Sequence, residues 1–275
     1  MKKCKILIVE DNRINQLLVK NALKNFGFVD FDSAENSTDA FRKLSESDYD
    51  IILMDIQMPG MDGYEITREI RSGMREPICN IPIIALTADS SAKEKEKAKA
   101  AGMNDYVIKP YSPEDLYLIM LKYLDPAVKQ DINRKAKKTG KKNPLNQPAK
   151  TAGMELEFLE KYTGGDVSIT IQLVELFLRE VPEAIQKLEV LTREEKWKEV
   201  HAIAHKVKSC IAIFELMELK SCILRIEECA GETSCTDEIP ALFSEFKKGS
   251  LAVSKDLEMQ LKMLKHEKTD QDSPR

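Results

Sequence analysis

The chain has 275 residues, enough for about two domains of ordinary size. Hydrophobic residues make up 43% and charged residues 32%, so sizeable cores can form, while a net charge of −4 gives no general pull toward nucleic acid or anionic lipid. No apolar run is long enough to insert in a membrane, and the four strongly apolar residues after Met1-Lys2-Lys3-Cys4 and Lys5 are too few for a signal peptide, so a cytoplasmic protein is expected. The cysteines, Cys4, Cys79, Cys210, Cys222, Cys229 and Cys235, contain no C-x-x-C pair, which favours reduced thiols over a disulfide framework or a zinc site.

The first 125 residues alternate between strand and helix signals. Ile6-Leu7-Ile8-Val9 is a short apolar run that stops at Glu10-Asp11-Asn12, and a helical pattern follows through Leu17, Leu18, Ala22, Leu23 and Phe26 to Gly27. Phe28 to Phe31 reads as a weaker strand, and Asn36 can cap a helix carrying Ala40, Phe41 and Leu44. Ile51 to Met54 is fully apolar, the mark of a strand buried on both faces, and it ends abruptly in Asp55 before the turn signal Pro59-Gly60. Asp62-Gly63 leads into a helix through Ile66 and Ile70. Pro82 to Leu86 is another buried strand, ending at Thr87-Ala88, and a charged helix from Ala92 to Ala101 is stopped by Gly102. Tyr106-Val107-Ile108 is the last strand, ending at Lys109-Pro110, and Pro113 opens a final helix that reaches Leu124.

Five β-α units imply an α/β fold, a five-stranded parallel doubly wound sheet with helices on both faces. Asp11, Asp55, Thr87 and Lys109 then follow strand C-termini and share one edge of the sheet, where open α/β sheets present their chemistry. Glu10, Asp11 and Asp55 would crowd negative charge into one crevice, which a cation between them would relieve. The donors are all oxygens, which favours a hard cation, and Mg²⁺ where phosphate is involved. Lys109 and Thr87 could hold the oxygens of a phosphoryl group, and Asp55 could accept that group as an aspartyl-phosphate.

Val-Glu-Asp-Asn at 9–12, Met-Asp-Ile-Gln-Met-Pro-Gly-Met-Asp-Gly at 54–63, Ala-Leu-Thr-Ala at 85–88 and Lys-Pro at 109–110 together resemble the receiver domain of a two-component response regulator, with its flavodoxin-like sheet. The resemblance spans residues 4–124. It implies that Asp55 is the phosphoacceptor and that Glu10, Asp11, Asp55 and the backbone carbonyl of Gln57 bind Mg²⁺. It also implies that Thr87 and Lys109 read the phosphate and that Thr87 and Tyr106 form the switch, and in that family the bond corresponding to Lys109–Pro110 is often cis. Tyr106 reads equally as a strand aromatic packed on the sheet. Phosphatases of the haloacid-dehalogenase type also use an aspartyl-phosphate, but they resemble a strand ending in Asp-x-Asp, and here the second position is Gln57.

Residues 125–153 break the pattern with Pro126, Pro144 and Pro148 and a basic cluster of Lys135, Lys137, Lys138, Lys141 and Lys142, as expected of a basic flexible linker. Such a tether spans roughly 30 Å and permits contact between its flanking domains without enforcing it.

From Gly164-Gly165-Asp166 onward the apolar residues fall at helical spacing. One stripe reads Ile171, Val174, Leu178, Val181, Ile185, Leu188, with Pro182 expected to kink it; the next reads Trp197, Val200, Ala204, Val207, Ile211, Phe214. A third reads Leu216, Leu219, Ile223, Ile226, Ala230, and the last runs from Ile239, Leu242 and Phe246 to Val253, Leu257, Leu261 and Leu264. Four such stripes describe an all-α four-helix bundle, preceded by a short packing helix over 155–161 and followed by a disordered tail over 265–275. His205 lies about 100° round its helix from the apolar Ala204, with Lys208 and Ser209 on its own face and His201 one turn before. A neutral imidazole there is an adequate nucleophile for phosphorus, Lys208 could offset the added charge, and small neighbours leave room for another protein.

Ala-His-Lys-Val-Lys-Ser-Cys at 204–210 and Gly-Gly-Asp at 164–166 resemble the histidine-containing phosphotransfer (HPt) domain, over about residues 154–264. That resemblance implies His205 as phosphoacceptor and Lys208 as its charge partner. His201 and His205 would otherwise be an i, i+4 metal pair, but no third ligand has clear spacing. The two resemblances imply a phosphorelay intermediate rather than an enzyme with its own nucleotide site, since neither a P-loop nor a kinase ATP site is visible. A sensor or hybrid histidine kinase would donate to Asp55, and His205 would exchange phosphoryl with an aspartate of a receiver domain; no nucleic-acid partner and no membrane insertion are expected. The alternatives are a DNA-binding response regulator, against which the long helical stripes count, and a phosphate-sink scaffold without internal transfer. The opening Met just before the first strand suits a free-standing protein, and a piece of a hybrid kinase would look the same.

Overall fold

The computed structural model describes residues 4–88, 91–109, 111–126, 128–129, 156–232 and 235–272, and the chain divides into two compact units, residues 1–148 and 149–275. The expected linker lies outside the described residues from position 130 on, as does the Lys109–Pro110 bond.

In the first unit the strands are β1 (Lys5–Val9), β2 (Asp30–Ala34), β3 (Ile51–Asp55), β4 (Ile83–Thr87) and β5 (Asp105–Ile108). All pair in parallel in the order β2-β1-β3-β4-β5. The helices are α1 (Arg13–Asn25), α2 (Ser37–Glu46), α3 (Gly63–Gly73), α4 (Ala92–Ala101) and α5 (Pro113–Tyr123). Alternate strand residues feed two cores. Leu7, Val9, Ile52, Met54, Ile83 and Ala85 face α2, α3 and α4, while Ile6, Ile8, Ile51, Leu53, Ile84 and Leu86 face α1 and α5. That is why β3 and β4 read as unbroken apolar runs: a strand covered on both sides has no polar face. The order reverses between β1 and β3, so the crevice at their C-terminal ends is the switch point of the sheet.

The second strand begins at Asp30 rather than at the expected Phe28. Gly27 has φ +83° and donates its N–H to Lys24, while Phe28 donates to Leu23; together these form the Schellman stop of α1. Phe28 is therefore a buried cap residue, and its apolarity belongs to the helix end rather than to the strand. The core of this unit also extends to Val128, beyond the expected limit at 124.

In the second unit a one-turn helix (Glu160–Thr163) precedes α6 (Val167–Arg193), α7 (Trp197–Ile213), α8 (Met217–Glu232) and α9 (Ile239–Asp272). Asp166 caps α6 through its side chain, and Pro182 lies inside that helix. Val174, Val181, Leu188, Val200, Ala204, Val207, Ile211, Ile223 and Ile226 are buried as their spacing implies, and Leu173 and Phe177 widen the buried face of α6. Two expectations are corrected. Helix α9 continues to Asp272, so residues 265–272 are helical rather than a disordered tail; Leu264 is buried there and Lys265 pairs with Glu175 at 2.7 Å. Cys229 and Cys235 form a disulfide, which a search for C-x-x-C spacing misses because six positions separate them; Cys4, Cys79, Cys210 and Cys222 are free thiols.

Candidate functional site

The acidic crevice is built by strand ends. Glu10 follows β1 and is fully buried, Asp11 beside it is half-buried, and Asp55 is the last residue of β3 and buried. Each carboxylate can offer one oxygen, and these oxygens lie within 4.8 Å of one another. Lys109, just past β5, reaches back into the crevice, its Nζ 2.6 Å from Glu10 Oε2 and 2.9 Å from Asp55 Oδ2. Thr87 ends β4 and is buried; its strand neighbour Leu86 is in register with Asp55. The expected residues Glu10, Asp11, Asp55 and Lys109 are thus brought together, with Thr87 ending the adjoining strand. Gln57 is exposed, and its N–H donates to Asp55 Oδ1 at 3.4 Å.

Electrostatics follow from this crowding. Burial, and then the Glu10 carboxylate, push the Asp55 acid well above the ordinary carboxylate range, against the pull of Lys109. Burial disfavours the Lys109 ammonium, but Asp55 and Glu10 more than offset it, so its pKa is raised. An all-oxygen donor set with surplus negative charge fits a hard divalent cation.

The loop that carries Asp55 is fixed by α3. Asp62 caps α3 in a reciprocal capping box with Glu65, and Gly63 donates its N–H to Ile56 at 2.8 Å. A Cβ on Gly63 would lie 2.2 Å from the carbonyl oxygen of Asp55, so only glycine admits this approach. Tyr106, in β5, is half-buried against the α2–α4 core, with the Lys95 ammonium 4.9 Å from its ring centre. The next helix contact is Tyr64, whose hydroxyl donates to Glu94 Oε2 at 2.5 Å.

In the helical unit, His205 and Lys208 lie together on α7, each with 17% of its side chain exposed. Both meet a residue that the sequence did not single out, Glu227 of α8. His205 Nδ1 is 2.5 Å and Lys208 Nζ 2.8 Å from Glu227 Oε1. Burial pushes the Glu227 acid up, but the bonds from His205 and Lys208 outweigh it and hold its pKa below the usual value. With Nδ1 engaged by a carboxylate, His205 Nε2 has no partner among the described residues. His201 does not join His205 in a ligand pair; its Nδ1 lies 2.9 Å from the Glu227 carbonyl oxygen. A groove lined by His201, Leu224, Arg225 and Glu227 runs beside this face.

Residues 6–120 match the family model of the response regulator receiver domain, and residues 172–265 match that of the Hpt domain. Neither matched module is a kinase ATP-binding domain, and neither is a DNA-binding one. The sensor protein EvgS of Escherichia coli strain K12 is 28% identical over 253 residues, covering 89% of this chain and 18% of that protein. Hybrid signal transduction histidine kinase B of Dictyostelium discoideum is 40% identical over 127 residues, covering 43% of this chain and 6% of that one. The chain thus spans less than a fifth of the length of either relative. Among solved structures, the receiver domain of the sensor histidine kinase PA1611 from Pseudomonas aeruginosa, with magnesium in its active-site cleft, is 38% identical. The match covers 44% of this chain and 98% of that one, with a TM-score of 0.41. Among the described residues no helix is long and apolar enough to cross a membrane.

Proposed function

We propose that this chain, which carries a receiver domain followed by a histidine-containing phosphotransfer domain, acts as a phosphorelay intermediate. The observation that carries the reading is the meeting of Asp55, Glu10 and Lys109 at the switch point of the sheet, in the same chain as a histidine with one ring nitrogen engaged and the other open.

In the first transfer, Asp55 Oδ attacks phosphorus as the P–N bond of a donor phosphohistidine breaks. The imidazole leaves and takes a proton from solvent. Glu10, Asp11 and Asp55, with the Gln57 carbonyl, would hold Mg²⁺, which supplies charge neutralisation for the carboxylates and the phosphoryl oxygens. Lys109 and the Thr87 hydroxyl would receive the phosphoryl oxygens, and with Tyr106 Thr87 would couple the phosphorylated state to the β4–β5 face. In the second unit, the Glu227 carboxylate accepts a hydrogen bond from His205 Nδ1–H, so the Nε2 lone pair is the nucleophile toward the aspartyl-phosphate of a donor receiver, whose acyl O–P bond breaks to release the aspartate carboxylate. In the onward step an acceptor's aspartate oxygen attacks phosphorus as the Nε2–P bond breaks. Lys208, bonded to Glu227 at 2.8 Å beside His205, would share its charge between Glu227 and the phosphoryl group.

A sensor or hybrid histidine kinase is the proposed donor and the receiver of a response regulator the proposed acceptor, in the cytoplasm where ATP-fed kinases work. EvgS is named a sensor protein and matches most of this chain, which supports a partner of the sensor class. The test is a time course with a labelled phosphohistidine donor. Asp55→Asn should abolish the alkali-labile label of an acyl phosphate, and His205→Gln should abolish the acid-labile label of a phosphohistidine while leaving the circular dichroism unchanged. Undiminished labelling in either variant overturns the corresponding assignment.

A further inference from the structure

Glu10 is fully buried, and its two carboxylate oxygens have different partners. Oε1 accepts from the Asn12 backbone N–H and from Asn15 Nδ2, each at 3.1 Å, while Oε2 faces the crevice and accepts from Lys109 at 2.6 Å. The main chain of Glu10 is pinned as well, because Gln16 Nε2 donates to its carbonyl oxygen at 2.7 Å. Asn12 in turn caps α1, its Oδ1 accepting from the N–H groups of Ile14 and Asn15. Asn15 and Gln16 are themselves buried in the first turns of α1, where unpaired amides would be costly. Their bonds turn α1 into a clamp on one acidic residue.

We propose that Asn15 is a positioning residue that decides which oxygen of Glu10 meets the divalent cation. This rests on the cation reading given above. With Oε1 holding two donors, only Oε2 is offered, so Glu10 binds through one oxygen and cannot rotate to present both. Mg²⁺ requires near-ideal octahedral geometry, whereas Ca²⁺ accepts carboxylates through one or both oxygens. A carboxylate released from Asn15 is therefore a worse ligand for Mg²⁺ and nearly as good a ligand for Ca²⁺. Outer-shell partners of this kind typically matter about 10–100-fold in metal affinity.

The test is calorimetric titration of the full chain with MgCl₂ and, separately, CaCl₂. Asn15→Leu removes the donor at similar size, and Asn15→Ala does so if the leucine variant does not fold. The expected result is Mg²⁺ affinity lowered about 10–100-fold, with a smaller loss for Ca²⁺. Unchanged Mg²⁺ affinity in a folded variant overturns the proposal. Equal losses for the two ions also overturn it, since they would make Asn15 a prop for the fold and not a selector of geometry. No Mg²⁺ binding by the unaltered chain would instead overturn the cation reading itself.

Discussion

At the residue scale the carboxylates do most of the work, and they do it in opposite electrostatic settings. Asp55 is pushed toward its protonated form by burial and by Glu10, whereas Glu227 is held ionised by His205 and Lys208. The Glu227 acid has a folded pKa below its unfolded value near 4.5, so its contribution to stability is present above that pH. It is lost as pH falls through the lower folded value. Acidification below about pH 4.5 should therefore destabilise the helical unit, and Glu227→Gln should flatten that dependence in thermal melts. The same variant should slow phosphoryl transfer through His205 by roughly tenfold or more, as expected when an imidazole loses the carboxylate that fixes its tautomer. The strand-end residues were legible because each interrupts an apolar run at a defined place. Glu227 was not, because it lies within an ordinary stretch of helix between Ile226 and Cys229, and only the packing of α8 on α7 gives it meaning. Asn15 was hidden for the same reason, one polar residue in a helix whose partner is five positions earlier.

At the element scale the connection from β3 to α3 is the most constrained. The capping box of Asp62 and Glu65 starts α3, and Gly63 packs its backbone onto the carbonyl of Asp55. Gly63→Ala should cost about 1–3 kcal/mol in denaturant melts, the usual penalty of overpacking, and should lower labelling of Asp55 together with stability. Removing the α1 cap by Asn12→Ala should cost about 1 kcal/mol in the same measurement. Strands β1, β3, β4 and β5 could be read in advance because their apolar runs are continuous or nearly so. Edge strand β2, Asp-Phe-Asp-Ser-Ala, is polar enough that periodicity pointed instead to the preceding cap residues. Helix α9 runs past its apolar stripe: residues 265–272 are polar and charged throughout, so periodicity alone gives no sign of the last two turns.

At the scale of the whole molecule, the two compact units carry separate cores, so calorimetry should resolve two unfolding transitions. Saturating Mg²⁺ should raise only the transition of the α/β unit, by about 2.7 kcal/mol at a hundredfold excess over Kd, and Asp55→Asn should remove most of that shift. The division into two units followed from the change of period in the sequence, from strand-helix alternation to helical stripes throughout.

The arrangement at the switch point also has a consequence for electroneutrality. Three acids share a crevice with a single ammonium, which leaves an excess of two negative charges among them when all are ionised. A monovalent ion such as Na⁺ or K⁺ would leave that balance unmet, whereas one ion of charge +2 cancels it. A dianionic phosphoryl group would then approach a crevice whose own charge is balanced and which does not strongly repel it.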